Sequence, residues 1–174
     1  MGGQKTDQEK LNHTLEFVVK ILHEEGITDW FIFYGTLLGI VREDGCIDGD
    51  DDIDIMINYD FKQLLRIFEK RGLTFRVTEN KLLKSLPTKE FASFDFYFCE
   101  VDKEKNWLMH WVNNSLTTVT DPYIDSCSKT FHSITWRSTI LNLPNNYMEK
   151  IIKMYGENWN KPQSNTALFR NRII

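Results

Sequence analysis

The spacing of hydrophobic residues over positions 1–33 predicts a helix followed by a strand. Residues 6–9, Thr-Asp-Gln-Glu, match a capping box, which predicts Thr6 as the N-cap, and Gly26 predicts the end of the helix. Residues 30–33, Trp-Phe-Ile-Phe, form a continuous apolar run that predicts a buried strand. The apolar positions of the helix recur three or four residues apart, as on one buried face: Leu11, Leu15, Val18 and Leu22.

The next stretch predicts a turn, a short helix and an acidic strand. Gly35 and Thr36 predict the turn, and residues 37–42 predict the short helix. Residues 52–57 read Asp-Ile-Asp-Ile-Met-Ile, and this alternation is typical of a strand with one buried face. Asp60 then predicts the cap of a second helix that ends before Gly72.

Strand-like patterns dominate the rest of the chain. Pro144 predicts the start of a last helix, which ends near Gly156. The sequence contains no internal repeat or linker, and its 174 residues suit one domain. These patterns predict a single α+β domain over residues 1–174. The predicted strands are 73–77, 81–86 and 91–101, with further strands or loops at 107–120 and 131–143.

Composition predicts an ordinary soluble globular protein whose acidic residues are unevenly placed. Hydrophobic residues make up 41%, charged residues make up 26%, and the net charge is −4. This balance argues against a surface that coats nucleic acid. Residues 43–60 nevertheless contain eight Asp or Glu and no Lys or Arg. Such a local concentration of negative charge is typical of a cation site.

The cellular location is predicted from cysteine usage and from the N-terminus. The three cysteines form no CxxC pair, which argues against a structural zinc site. An odd count without a leader peptide predicts a reducing, cytoplasmic environment, and no apolar run is long enough to span a bilayer. Residues 1–6 match the N-myristoylation pattern, which predicts at most weak anchoring through an acyl chain on Gly2. The competing interpretation of that match is the helix cap at Thr6.

The acidic alternation predicts a divalent cation site. On a strand, Asp50, Asp52 and Asp54 share one face at intervals of about 7 Å, and Asp51 points away. Carboxylates stacked in this way repel one another unless a cation neutralises them. A solvated acidic loop is the alternative, but the alternating isoleucines favour a strand. A calcium-binding EF-hand loop is excluded, because Ile53 stands where that loop needs Gly.

Asp95 is the second candidate ligand. It lies within Phe-Asp-Phe-Tyr-Phe, residues 94–98, where an unpaired carboxylate is costly to bury. On a strand beside the acidic strand, it would reach the same cation. A Gly-Thr turn, two Asp on one strand and a third Asp on another form the plan of the nucleotidyltransferase superfamily.

Within that superfamily the chain resembles the LicD/fukutin family. The resemblance is strongest over residues 30–57, which include Tyr-Gly-Thr-Leu-Leu-Gly-Ile-Val-Arg and Asp-Asp-Asp-Ile-Asp-Ile. It continues at residues 94–96, Phe-Asp-Phe, and more weakly over 143–162. It implies a nucleotidyltransferase-like domain with a mixed central sheet flanked by helices. It also implies transfer of phosphocholine or ribitol 5-phosphate from a CDP-linked donor to a sugar hydroxyl, so the expected acceptor is a glycan.

The resemblance assigns roles to seven residues. Asp52, Asp54 and Asp95 would be the catalytic carboxylates and would hold Mg²⁺ or Mn²⁺, with Asp50 as a fourth metal ligand. The donor phosphates would be held by Gly35, Thr36 and Arg42. A salt bridge to Glu43 or to the acidic strand is the alternative role for Arg42.

Two other functions remain possible from the sequence, and the chain differs from the family pattern at one place. The same site suits a nucleotidylyltransferase that transfers NMP and releases pyrophosphate, and it also suits a catalytically silent module that binds metal or nucleotide. Family members commonly have Pro-Trp just before the Asp run, where this chain has Asp48 and Gly49. Loss of that aromatic residue puts the identity of the substrate in question but leaves the predicted metal ligands in place.

Overall fold

Four helices and nine strands follow one another in the computed structural model, which describes residues 5–78, 80–102, 107–112, 115–119 and 121–162. The helices are α1 Gln8–Glu24, α2 Tyr34–Glu43, α3 Phe61–Glu69 and α4 Tyr147–Tyr155. The strands are β1 Trp30–Ile32, β2 Asp52–Ile57, β3 Phe75–Thr78, β4 Leu82–Ser85, β5 Ser93–Asp102, β6 Trp107–Val112, β7 Ser115–Val119, β8 His132–Trp136 and β9 Thr139–Leu143.

A mixed sheet organises these elements, in the order β1-β2-β5-β4-β3. β2 and β5 run parallel, whereas β1 and β4 pair antiparallel to β2 and β5. The far half of β5 continues into an antiparallel ladder with β6 and β7, and β8 and β9 form a separate hairpin. The prediction of an α+β fold with a mixed sheet and flanking helices is confirmed. Assignment of all of residues 1–174 to one domain stays a prediction.

The two faces of β2 and β5 differ in polarity, as the alternation predicts. Ile53 and Ile55 on β2 are fully buried, and so are Phe94 and Phe96 on β5. The ring of Phe68 on α3 packs 5.6 Å and 5.1 Å, centroid to centroid, from the rings of these two phenylalanines. Burial of this apolar face stabilises the sheet and leaves the alternate residues, including the carboxylates, on the opposite face.

The start of α1 corrects the predicted cap. Asp7, not Thr6, is the N-cap, and its carboxylate accepts a hydrogen bond from the backbone N–H of Lys10. Thr6 instead pairs through its backbone with the acidic loop: its N–H donates to the Asp50 carbonyl at 2.9 Å, and its carbonyl accepts from the Gly49 N–H at 3.0 Å. The side chain of Asp7 reaches the third helical residue, so the helix begins one residue later than predicted.

The Gly-Thr pair also differs from its prediction as a turn. Gly35 and Thr36 lie in the first turn of α2, which begins at Tyr34. The chain changes direction at Tyr34, whose φ is 44°, and at the extended N-cap Phe33. The N–H of Phe33 donates to the carbonyl of Asp54, which ties the start of α2 to β2.

The acidic strand covers Asp52–Ile57, as predicted. Asp50 and Asp51 therefore lie in the preceding loop, where the alternation of a strand does not apply.

Gly2 of the myristoylation pattern lies outside the described residues. Within the described parts of the chain, no helix has both the length and the apolar character that crossing a bilayer requires.

Candidate active site

Three charged residues form a row across three neighbouring strands. Asp54 on β2 is the direct Cα partner of Asp95 on β5, and Asp95 is the direct partner of Lys84 on β4. Paired residues in a sheet project to the same face. The side chains of the row therefore project from the polar face of the sheet, opposite the packed phenylalanines.

The carboxylates of Asp52, Asp54 and Asp95 converge on one point of that face. Each offers an oxygen, and these three oxygens all lie within 4.8 Å of one another. Asp54 is 9% exposed and Asp95 is 3% exposed, so water solvates their charges poorly. Among the described residues, no other group of three or more metal-ligating side chains meets this distance. The structure thus brings together the three residues that the sequence singles out as catalytic.

Lys84 is the site residue that the sequence analysis missed. Its ammonium donates to Asp52 Oδ2 at 2.6 Å and to Asp95 Oδ2 at 3.0 Å. Lysine in an isolated strand pattern is usually a solvated residue, and only the register of β4 against β5 places it beside Asp95. Finding Lys84 therefore requires knowledge of how β2, β5 and β4 pair, and the pattern within a single strand does not contain that information.

Burial and charge act in opposite directions on this cluster. Burial raises the pKa of Asp95 to about 7, and the charge of Asp52 adds to the increase, while Lys84 opposes it. Burial lowers the pKa of Lys84, but its hydrogen bonds and the charges of Asp52 and Asp95 outweigh this, and the pKa is raised overall. The ammonium therefore offsets only part of the cost of burying these carboxylates.

One oxygen of Asp95 suits a cation. Asp95 Oδ1 is buried and accepts no hydrogen bond from any described residue. A buried carboxylate oxygen without a donor is costly, and coordination to a cation removes that cost. Together with the convergence of three carboxylates, this oxygen fits Mg²⁺ or Mn²⁺, which prefer oxygen ligands.

The first turn of α2 lies directly against the acidic loop. A Cβ atom built on Gly35 would lie 2.5 Å from Asp50 Oδ2 and 3.9 Å from Asp54 Oδ2. Any larger residue at position 35 would therefore displace the Asp50 carboxylate. Asp50 thus approaches the cluster from the loop, although it does not belong to the group of three oxygens within 4.8 Å.

Thr36 ties α2 to the acidic strand. It is 2% exposed, and its hydroxyl oxygen accepts a hydrogen bond from the backbone N–H of Asp54 at 2.8 Å. This bond fixes the position of the Asp54 backbone relative to the helix. The structure therefore places Thr36 behind the cluster as a support for Asp54.

Arg42 lies at the other end of α2 from Gly35. Arg42 comes seven positions after Gly35, which corresponds to about 10 Å along the helix axis. The Nε of Arg42 donates to Glu43 Oε1 at 2.8 Å, and Nη2 contacts the same oxygen. Nη1 donates to the carbonyl of Trp159 at 3.5 Å. The structure thus shows the salt bridge to Glu43 and does not place Arg42 with the carboxylates.

The Asp48 and Gly49 departure has a structural role. The Oδ1 of Asp48 accepts from the backbone N–H of Gln8 at 3.1 Å, at the positive end of α1. Gly49 has a φ of 80°, in the left-handed region that favours glycine, and its N–H donates to Thr6. These two residues hold the acidic loop against the start of α1.

Comparison with known proteins agrees with this geometry. Residues 27–141 match the family model described as LicD/FKTN/FKRP, nucleotidyltransferase domain. The matched segment contains Asp50, Asp52, Asp54, Lys84 and Asp95. The sequence-based resemblance is therefore confirmed.

Two further proteins are similar to this chain. Uncharacterized protein RT0683 of Rickettsia typhi (strain ATCC VR-144 / Wilmington) is 35% identical over 95 residues, which cover 52% of this chain and 28% of that protein. The chain thus spans less than a third of the length of the curated relative it matches. The crystal structure of lincosamide antibiotic adenylyltransferase LnuA with lincomycin bound has a TM-score of 0.61 and 11% identity, covering 91% of this chain and 94% of that chain. At this identity the likeness shows a shared fold.

Proposed function

We propose that this chain, which belongs to the LicD/FKTN/FKRP nucleotidyltransferase family, is a metal-dependent transferase that moves a phospho-alcohol group from a CDP-linked donor to an acceptor hydroxyl. The observation that carries the proposal is the convergence of Asp52, Asp54 and Asp95, whose oxygens lie within 4.8 Å of one another. Family membership supports the transferase class. The donor, the alcohol and the acceptor, which we expect to be a glycan, belong to the proposal.

The carboxylates would act as ligands and as a proton acceptor. Asp52, Asp54 and Asp95 would hold Mg²⁺ or Mn²⁺, with Asp50 approaching from the loop. When bound, the ion neutralises phosphate charge and polarises the phosphoryl group. Asp95 would also take the proton of the attacking hydroxyl, through the carboxylate oxygen that the ion leaves free.

The start of α2 would hold the donor phosphates. The N–H groups of a helix's first turn carry a partial positive charge and attract phosphate oxygens. The space that a Gly35 side chain would fill is taken by the Asp50 carboxylate, so a donor phosphate could reach this turn only once Asp50 turns toward a bound ion. Thr36 would contribute mainly by holding Asp54, since its hydroxyl already accepts from the Asp54 N–H. Arg42 would need to leave Glu43 before it could contact a donor.

A second candidate function is nucleotidylyl transfer with release of pyrophosphate. The fold is shared with a solved adenylyltransferase, and the same carboxylates suit attack on either phosphate of a nucleotide donor. The two functions differ in their products. Phospho-alcohol transfer releases CMP from a CDP-alcohol, whereas nucleotidylyl transfer releases pyrophosphate from a nucleoside triphosphate.

Ligand binding and product analysis together test the proposal. A thermal-shift screen would compare CDP-choline, CDP-ribitol, a UDP-sugar and ATP, each with Mn²⁺ and with EDTA, in wild type and in Asp54→Ala. We expect stabilisation by CDP-alcohols that requires both Mn²⁺ and Asp54, followed by release of CMP when glycan acceptors are added. Pyrophosphate release from ATP would favour the second function. Binding of nucleotide without turnover of any donor would favour a silent binding module.

A further inference from the structure

We propose that Lys84 is a built-in counter-cation of the acidic cluster: it pairs with Asp52 and Asp95 in the metal-free protein and competes with a divalent ion for their oxygens. The inference rests on the proposed metal-dependent function, because it concerns the same carboxylates. It adds a residue and a property that the proposed function does not include. A lysine that competes in this way sets the metal concentration at which the site becomes occupied.

The position of the ammonium supports competition. Lys84 Nζ lies 2.6 Å from Asp52 Oδ2 and 3.0 Å from Asp95 Oδ2, so it bridges the two carboxylates. A Mg²⁺ ion held by the same two carboxylates, through Asp52 Oδ2 and either oxygen of Asp95, would lie about 2.0–2.1 Å from each ligand oxygen. Such an ion would be in close contact with the ammonium, and the two positive charges would repel each other. Occupation of these oxygens by an ion therefore requires the ammonium to move.

The base of Lys84 is held firmly while its tip can move. Its neighbour Ser85 is 1% exposed, accepts from the Phe94 N–H through its hydroxyl at 2.7 Å, and accepts from the Ser93 hydroxyl through its carbonyl at 2.7 Å. The other neighbour, Leu83, is fully buried. The Lys84 side chain, in contrast, is 35% exposed and has a flexible four-carbon stem. The ammonium can thus turn toward solvent without displacing β4.

A purely structural salt bridge predicts the opposite effect on metal binding. If Lys84 only holds Asp52 and Asp95 in position, its loss would disorder the ligands and weaken their affinity for metal. If Lys84 competes, its loss would remove the competing positive charge and strengthen that affinity. Metal affinity therefore separates the two roles.

Calorimetric titration with Mn²⁺ measures this affinity without any need for turnover. The proteins are wild type, Lys84→Met and the control Lys62→Met, which removes the same charge from an exposed position on α3. We expect Lys84→Met to bind Mn²⁺ at least tenfold more tightly than wild type, and Lys62→Met to stay within twofold. The Tm in EDTA should fall in Lys84→Met and recover in saturating Mn²⁺. Equal or weaker Mn²⁺ binding by a folded Lys84→Met would overturn the proposal.

A measurement on the wild-type protein covers the case in which Lys84→Met does not fold. Mass spectrometry would follow the acetylation rate of each lysine by a water-soluble reagent, with Mn²⁺ and with EDTA. We expect Mn²⁺ to speed acetylation of Lys84 severalfold relative to Lys62, because the displaced ammonium loses its carboxylate partners. An unchanged or slower rate in the presence of bound Mn²⁺ would overturn the inference alone. Absence of Mn²⁺ binding in wild type and in Lys84→Met would reject both the inference and the proposed function.

Discussion

Asp54 and Asp95 are direct Cα partners on the parallel strands β2 and β5, so two carboxylates 41 positions apart in the sequence project side by side from one face of the sheet. Like charges on directly opposed residues destabilise a sheet. The described structure compensates this pair in part through Lys84, whose ammonium contacts Asp95. The remaining negative charge makes the stability of the cluster sensitive to any substitution that changes its charge.

The first prediction separates Asp51 from its neighbours. Asp52→Ala and Asp54→Ala should abolish metal-dependent turnover, because each removes a member of the convergent group. Asp50→Ala should impair turnover strongly, since its carboxylate lies against Gly35 at the start of α2. Asp51→Ala should stay within about tenfold of wild type, or about 1.4 kcal/mol in the barrier.

Steady-state rates of CMP release, with circular dichroism to establish folding, would check the series. Asp51 precedes the first residue of β2, so strand alternation does not determine where its carboxylate points. If folded Asp51→Ala is as inactive as Asp52→Ala, the metal ligands must be reassigned to include the loop.

The second prediction concerns nucleotide binding. The carboxylates should repel the phosphates of a donor until a divalent ion neutralises them. We therefore expect a CDP-alcohol to bind in Mg²⁺ with an affinity at least tenfold higher than in EDTA, as measured by calorimetry. A matched titration in Ca²⁺ would show whether a larger ion suffices. Equal affinity in EDTA and in Mg²⁺ would contradict the metal-dependent account.

The third prediction concerns Asp95 and pH. Burial raises its pKa from the ordinary value of 3.8 to about 7 in the folded protein. Between these values the folded state holds more protons than the unfolded state, so this group's contribution to the free energy of unfolding falls as the pH rises from 3.8 to about 7. Asp95→Asn removes that contribution and mimics the protonated acid.

In EDTA, Asp95→Asn should therefore match wild type in Tm near pH 4 and equal or exceed it at pH 8, while turnover is lost. Differential scanning calorimetry across this range would measure the effect, with Asp51→Asn as the control for a general loss of charge. A Tm at pH 8 clearly below that of wild type would show that Asp95 is retained for its pairing with Lys84.

The fourth prediction tests the support that Thr36 gives to Asp54. Thr36→Val keeps the side-chain shape but leaves the buried Asp54 N–H without its acceptor, which should lower the free energy of unfolding by about 1–3 kcal/mol. Thr36→Ser keeps the hydroxyl and should retain most of the lost stability. Urea denaturation of the three proteins would give these values. If Thr36→Val is as stable as wild type and only nucleotide binding is lost, the hydroxyl serves the ligand.

The fifth prediction compares two glycines of α2. A Cβ at Gly39 would meet backbone atoms, the Gly45 carbonyl oxygen at 2.6 Å and the Ile47 nitrogen at 2.9 Å, which cannot yield easily. Gly39→Ala should therefore cost about 1–3 kcal/mol of stability. A Cβ at Gly35 would instead meet the end of the Asp50 side chain, which can rotate away.

Gly35→Ala should consequently keep or raise stability, because alanine favours the helix by about 1 kcal/mol. Its affinity for Mn²⁺ and its turnover should fall, because Asp50 is displaced. Thermal unfolding and Mn²⁺ titration of both variants would check the contrast. A large loss of stability in Gly35→Ala would show that this close approach is a packing requirement of the fold.

The sequence by itself determined the buried elements and the identity of the carboxylates. Alternation in residues 52–57 placed the isoleucines in the core and Asp52 and Asp54 on the other face, because strand geometry forces successive side chains to opposite sides. The isolation of Asp95 among aromatic residues marked it as a candidate metal ligand, because burying such a charge needs a compensating partner. The sequence motifs within residues 30–57 identified the family.

Only the tertiary structure decided which partners these residues have. Lys84 joined the site because β4 pairs with β5 in one register, and Thr36 became a support for Asp54 because α2 packs against β2. Strand register and helix packing depend on contacts between segments far apart in the chain, which a local pattern does not contain. For the same reason, the local alternation grouped Asp50 with Asp52 and Asp54 on one face, whereas Asp50 lies in the loop before β2, where its carbonyl accepts from the Thr6 N–H.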